Sequence, residues 1–435
     1  KNNKYGNFGG VSFMWNVSNE GFIANSGLNE IFSDIRLKAS YGRVGNMFGI
    51  GNYSSLFLYG GGLYGNASSF AFSQAGNPNL KWETSDKYDL GLSFGIFKDR
   101  LQAEFSYFYN DVNNLILNLP QSPSKGIPGN SIPFNVGSMY NRGLEFSLTS
   151  FNISKPNLSW TTNFNFTYLT NEVTELDTEV TEIRSTTGDL ETTNITVVGK
   201  PVGNLLAVET RGVDPTTGRR IFVNKAGQEI LYSHEASAAN RWTYRADGTV
   251  APAINTANDG VAWASPLPKY YGGIDNTLAY KGIDFSVNMT YALGFYVYCG
   301  SKAGIRDQRW WNNSKEVYET AWKNPGDVTN IPKPIWNDNV SNGSSFPITE
   351  NVEKGDYLKI RNISLGYTFK NVWKQGMNFE KIRVYAQVFN AFIITGYSGS
   401  DPEVSTNTDS NVAPGIDRNT APQARTYSFG VNLSF

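Results

Sequence analysis

The sequence predicts an all-β fold, a transmembrane antiparallel β-barrel wall of about eleven strands with long loops at one end. Three observations predict it. Apolar and polar residues alternate over stretches of roughly ten residues. The connections between these stretches are short and long by turns. The composition is 14% aromatic and only 17% charged.

The alternation is clearest in three places. Leu101, Ala103, Phe105, Tyr107 and Tyr109 share one face, opposite Gln102, Glu104, Ser106 and Asn110, with Phe108 as the exception. Trp160, Phe164, Phe166 and Tyr168 alternate with Thr161, Asn163, Asn165 and Thr167. Ile283, Phe285, Val287, Met289 and Tyr291 alternate with Asp284, Ser286, Asn288 and Thr290. Successive strand side chains point to opposite faces, so each stretch has one greasy and one polar side. Such stretches start near Gly9, Asp34, Lys87, Leu101, Arg142, Leu158, Tyr271, Gly282, Tyr357, Lys381 and Arg425. Their length suits a tilted membrane strand of about 9–11 residues better than the ~5–6 of ordinary strands.

Short turns are expected at residues 97–100, 152–157, 281–282 and 370–380, and long loops at 45–85, 111–141, 171–269, 299–356 and 391–424. Outer-membrane barrels have short periplasmic turns and long extracellular loops. This parity also puts Phe435 on the periplasmic side. An odd strand count leaves the sheet open, and unpaired backbone in lipid costs several kcal/mol per group. Closure by an equal number of preceding strands would make a barrel of about 22 strands, a size with a plugged lumen. The chain lacks an initiating Met and a signal peptide, so all 435 residues read as the C-terminal part of a longer barrel protein.

Composition excludes other classes. The mean hydropathy is -0.36, and no run reaches the ~18 apolar residues of a spanning helix. A net charge of -1 speaks against a nucleic-acid partner. Cys299 and His234 are the only residues of their kinds, which argues against metal centres and acid–base catalysis. We assign neither a role; His234, in Tyr232-Ser233-His234-Glu235, reads as a solvated loop histidine. No cofactor and no catalytic residue is expected.

Motifs spread along the chain carry a family resemblance. These are Leu37-Lys38-Ala39-Ser40-Tyr41-Gly42 with Gly45-Asn46, Asn77-Pro78-Asn79-Leu80-Lys81-Trp82-Glu83-Thr84, and Asn141-Arg142-Gly143-Leu144-Glu145. Val198-Gly199-Lys200-Pro201-Val202-Gly203, Tyr397-Ser398-Gly399 with Asp401-Pro402-Glu403, and the ending from Arg425 to Phe435 complete the set. In this order they resemble the C-terminal half of SusC/RagA-like TonB-dependent outer-membrane transporters. The resemblance implies a Gram-negative outer-membrane protein that imports oligosaccharides or oligopeptides. It further implies a SusD-like surface lipoprotein as lid, energy from the TonB complex, and a plug domain and TonB-contacting segment before Lys1.

The candidate residues follow. Trp242, Trp263, Trp310, Trp311 and Trp336 fall in long loops, where flat aromatic faces suit sugar rings or peptide side chains. Packing within the loops is the competing explanation. Trp160 and Trp373, beside short turns, suit an interfacial aromatic girdle. Tyr427, Phe429, Val431, Leu433 and Phe435 alternate to an aromatic terminus, the pattern of a signal for the barrel-assembly machinery. Arg36, Lys38, Glu104, Glu145, Asp284, Arg361 and Arg383 lie inside predicted strands, most of them on the polar face, where they would seat a plug. Gly60-Gly61-Gly62-Leu63-Tyr64-Gly65 matches G-x-G-x-x-G, but no helix follows, so it reads as a flexible loop tip. Residues 220–223 and 229–232 suit a hairpin above the membrane, and 315–323 a short helix stopped by Pro325-Gly326.

Three other readings compete. A siderophore or vitamin receptor would share the architecture without a lid. A barrel protease or phospholipase would need a nucleophile with a His or acid pair. A soluble adhesin would expose aromatic faces that aggregate.

Overall fold

A computed structural model describes residues 5–47, 50–176, 180–187, 191–310, 312–374, 377–407 and 410–434. The chain forms two compact units. One comprises Lys1–Ser154, Thr161–Ile183 and Val197–Lys200; the other comprises Lys155–Trp160, Arg184–Thr196 and Pro201–Phe435.

Eleven strands form an antiparallel sheet in chain order. They are β1 (Gly9–Asn16), β2 (Phe32–Asn46), β3 (Glu83–Ile96), β4 (Leu101–Asn113), β5 (Gly137–Lys155) and β6 (Leu158–Leu176), then β7 (Tyr270–Tyr280), β8 (Ile283–Leu293), β9 (Tyr357–Lys374), β10 (Met377–Thr395) and β11 (Thr426–Ser434). Every predicted strand is present. Several are longer than expected, and β5, β6 and β10 reach 19 residues. Backbone pairing continues past the end of the alternating pattern, because each ladder hydrogen bond satisfies groups that side-chain hydropathy does not report. The expected turn at 370–380 is shorter for this reason: β9 and β10 still pair at Lys374 and Met377.

The tight turns show why they are tight. Phe97, Lys98 and Asp99 all take positive φ between β3 and β4. Lys281 and Gly282 do so between β7 and β8, as two-residue hairpin turns with the right twist require. Hairpins fill two of the long loops, Leu58–Tyr64 with Ala67–Gln74 and Ile116–Pro120 with Ser131–Asn135. Of the glycine run expected as a loop tip, residues 60–64 are therefore strand and Gly65 lies at the hairpin turn. Gly60, Gly61 and Gly62 face Ala71, Phe70 and Ser69 across the ladder.

In the first unit one sheet face carries two aromatic rows. Phe32, Phe94, Phe105, Phe146 and Phe164 meet in a row across β2 to β6 at centroid distances of 4.5–6.4 Å. Tyr41, Tyr88, Tyr109 and Tyr140 form a second row at 5.0–6.3 Å. Beyond Tyr41 and Tyr88 the same face turns polar, where Arg43 pairs with Asp86 at 2.7 Å; Arg142, level with Tyr109, lies 5.1 Å from the Tyr140 ring centre. On β4 the stretch from Leu101 to Tyr109 spans about 26 Å of strand. An apolar band closed by tyrosines and then charges is the profile of a lipid-facing surface with its interfacial girdle.

The opposite face is polar. In the first unit Lys38 bonds Glu104 at 2.7 Å; in the second unit Arg383 bonds Asp284 at 2.5 Å. Phe108, the break in the alternation, has a local reason. Its ring lies over Gly143 on β5, where an added Cβ would come within 2.7 Å of it.

Candidate functional site: the loop layer of the second unit

The long connections of the second unit are folded. Thr210–Val213, Arg220–Val223, Glu229–Tyr232 and Trp242–Tyr244 make an antiparallel sheet, with both predicted hairpin strands at their expected bounds. Its apolar side joins a core of Val208, Phe222, Ile230, Tyr232, Ala251, Ile254 and Ile348. The expected helix runs Lys315–Thr320, and its Ser314 side chain caps it by accepting from the Val317 N–H at 3.2 Å.

Buried charges tie these connections together. Arg220 is fully buried and donates from Nε to the Ser341 carbonyl at 2.8 Å. Burial pushes its guanidinium down to about 10, opposed by the Glu350 charge. Arg306, 2% exposed, pairs with Glu316 at 2.5 Å and lies 3.8 Å from Glu350. Asn342 donates to the Arg306 carbonyl, and Asn351 to the Asn342 carbonyl.

The last connection is latched onto β9. Lys359 donates to Asp401 and Glu403 at 2.9 Å each, and Arg361 also bonds Glu403. Burial would raise the Glu403 carboxyl, but the hydrogen bonds from Arg361 and Lys359 outweigh it and hold the group below its ordinary range. Tyr397 donates to Asp417 at 2.8 Å, while Ser398 and Lys302 both bond Glu353. The family-like run from Tyr397 to Glu403 is thus largely a set of latch residues. Arg361, expected to seat a plug, is spent on this latch. Arg36, Lys38, Glu104, Asp284 and Arg383 pair within the sheet.

The loop tryptophans separate into two kinds. Trp242 packs into the core, 4.6 Å from the Tyr232 ring and 5.3 Å from Phe222. Trp263, Trp310 and Trp336 are exposed at 45%, 62% and 62%. Trp311 lies outside the described residues, as do Phe435 and the side chain of Trp373. Trp160 is exposed and donates to Asn276 at 3.0 Å. Tyr427, Phe429, Val431 and Leu433 are all exposed on β11. His234 is half-buried and hydrogen-bonded to Tyr232 at 3.0 Å, not merely solvated. Cys299 is buried among Phe295, Val297, Tyr357 and Tyr397, and burial pushes its thiol up.

One concavity of about 500 Å³ involves an exposed tryptophan. Trp263 and Tyr296 supply rings, Glu350 a carboxylate, and Thr210 and Thr349 hydroxyls. Thr349 accepts from the Thr210 N–H at 2.9 Å, which fixes one wall. Of these residues only Trp263 was legible in the sequence. The others come together from positions up to 140 residues apart, with no local motif.

Comparison with known proteins places this architecture. The family model described as TonB dependent receptor-like, beta-barrel matches residues 2–391. The TonB-dependent receptor P39 of Formosa agariphila is 29% identical over 100% of this chain and 43% of its own length. SusC of Bacteroides thetaiotaomicron is 26% identical, over 100% and 40%. The RagAB peptide transporter structure superposes with a TM-score of 0.80 at 25% identity, covering 100% of this chain and 44% of that one. The chain spans less than half the length of these relatives.

Proposed function

This chain belongs to the TonB dependent receptor-like β-barrel family of the Gram-negative outer membrane, and from that premise we propose that it is the C-terminal wall and loop layer of a nutrient importer. The cargo is an oligopeptide or oligosaccharide. A SusD-like surface lipoprotein covers the loops, the TonB complex supplies energy through a plug that precedes this segment, and the barrel-assembly machinery inserts the whole. The family is one of transporters, not an enzyme class, and the protein acts by binding and release without catalysis.

The observation that carries this reading is the folded loop layer. Loops beyond ~15 residues are uncommon unless they perform a task. Here they have their own core, buried charges and latch. Its likeness along the whole chain to a peptide transporter supports the cargo class over a metal chelate. The mechanism follows from the two faces. The apolar face holds the sheet in lipid, the polar face is braced by cross-strand ion pairs, and the loops present aromatic surface to cargo.

The test is growth of a deletion strain complemented with the full-length protein. Oligopeptides or oligosaccharides as sole nutrient should support growth only when the TonB complex is intact. Equal growth without the protein would overturn the proposal.

A further inference from the structure

The pocket at Trp263 is made with features that loop packing does not require. Trp263 lies on Gly260–Ala264, the last strand of its four-stranded sheet. Leu205 pairs with Ala264, but the next residue, Leu206, pairs with Ala262. Trp263 is therefore the extra residue of a β-bulge. Bulges redirect a side chain and are common beside functional sites. Here the bulge leaves a large indole 45% exposed at the rim of a concavity. An ordinary register would leave no such irregularity at this one residue.

The pocket's chemistry is one-sided. Two aromatic rings, Trp263 and Tyr296, and the Glu350 carboxylate line it, and among the described residues no cationic side chain does. The Glu350 side chain is 20% exposed, with the buried guanidiniums of Arg306, 3.8 Å away, and Arg220 acting on its charge from within the protein. Aromatic faces and a carboxylate favour a cation through the ring quadrupoles and direct charge pairing.

The neighbouring edge narrows the ligand further. An edge strand presents outward N–H and C=O groups, and extended peptides bind by adding to such an edge. We infer that the Trp263–Tyr296–Glu350 pocket binds a primary ammonium group of an extended peptide cargo. The group is a lysine side chain or a free N-terminus, with the peptide backbone running beside Gly260–Ala264. This rests on the importer reading and specifies its substrate class.

The experiment uses the full-length transporter in detergent and calorimetric titration with four probes. These are Ala-Lys-Ala, its Nε-acetylated form, its N-terminally acetylated form, and maltotriose. The site predicts that at least one acetylation weakens binding about tenfold, close to 1.4 kcal/mol. Which acetylation does so identifies the lysine or the N-terminus. Glu350→Gln and Trp263→Leu should each remove that discrimination, with heat-modifiable folding checked for both. Equal binding of all three peptides, or discrimination unchanged in both variants, overturns the assignment. Trp263-dependent binding of maltotriose alone also overturns it and makes the pocket a sugar site. Peptide-dependent growth in the Trp263→Leu strain at the wild-type level would sink the pocket while leaving the importer reading intact. Loss of TonB-dependent growth on every cargo in the wild type would sink the importer reading itself.

Discussion

Arg383 on β10 and Asp284 on β8 form a two-point ion pair, 3.0 and 2.5 Å, across the intervening strand β9. They meet over Gly366, where an added Cβ would lie 2.7 Å from the carboxylate and 2.8 Å from the guanidinium. The glycine is the gap through which three strands are cross-braced. Gly366→Ala should open the pair and lower stability by about 1 kcal/mol, since both side chains are partly solvated. The check is the heat-modifiability midpoint, with Asp284→Asn combined in a double-mutant cycle. Additive losses would show that the glycine and the pair act independently.

The two faces should differ in tolerance. Val287 alternates with Asn288 on β8, with Phe285 and Leu365 exposed on the apolar side. Val287→Arg should cost roughly 2–4 kcal/mol if it lies near the bilayer midplane, and Asn288→Arg much less. Folding yield into lipid vesicles reads the difference. A larger loss at Asn288 would reverse the assignment of faces.

The tyrosine row should mark the outer interface. Nitroxides at Phe105 and Asp111 sit on opposite sides of Tyr109 along β4. Phe105 should be relaxed mainly by oxygen, and Asp111 by a water-soluble nickel chelate. Equal accessibility would remove the row from the interface.

The latch on β9 should be acid-labile. The Glu403 carboxyl is held below its ordinary range in the folded state. Its stabilisation is therefore fully present above the unfolded value of about 4.3 and is lost as pH falls through the folded value. Hydrogen-exchange protection across residues 396–424, taken relative to the intrinsic rate at each pH, should fall below that pH. Glu403→Gln should lower it already at pH 7. Protection independent of pH in the wild type would contradict the latch.

Much of the sheet was legible because half-exposed strands leave a period-two record. Residues such as Phe285 and Asp284 can satisfy lipid and a wet interior only by alternating. Strand ends were not legible, since the β9–β10 ladder runs on to Lys374 and Met377. The Gly60–Gly62 stretch was misread because glycine has little strand preference, while its ladder is set by Phe70 and Ala71 opposite. The loop tryptophans shared one description in the sequence, and only packing separates the core residue Trp242 from the rim residue Trp263. Arg220 and Ser341 meet across 121 residues, a distance no local pattern reports.

The most direct test of the central claim is mass spectrometry of ligands and proteins that co-purify with the full-length transporter from its native outer membrane. Bound oligopeptides or oligosaccharides, together with a surface lipoprotein in near-equal amount, are the predicted result. A bound iron chelate or vitamin with no lipoprotein would contradict the account and favour a receptor that works without a lid.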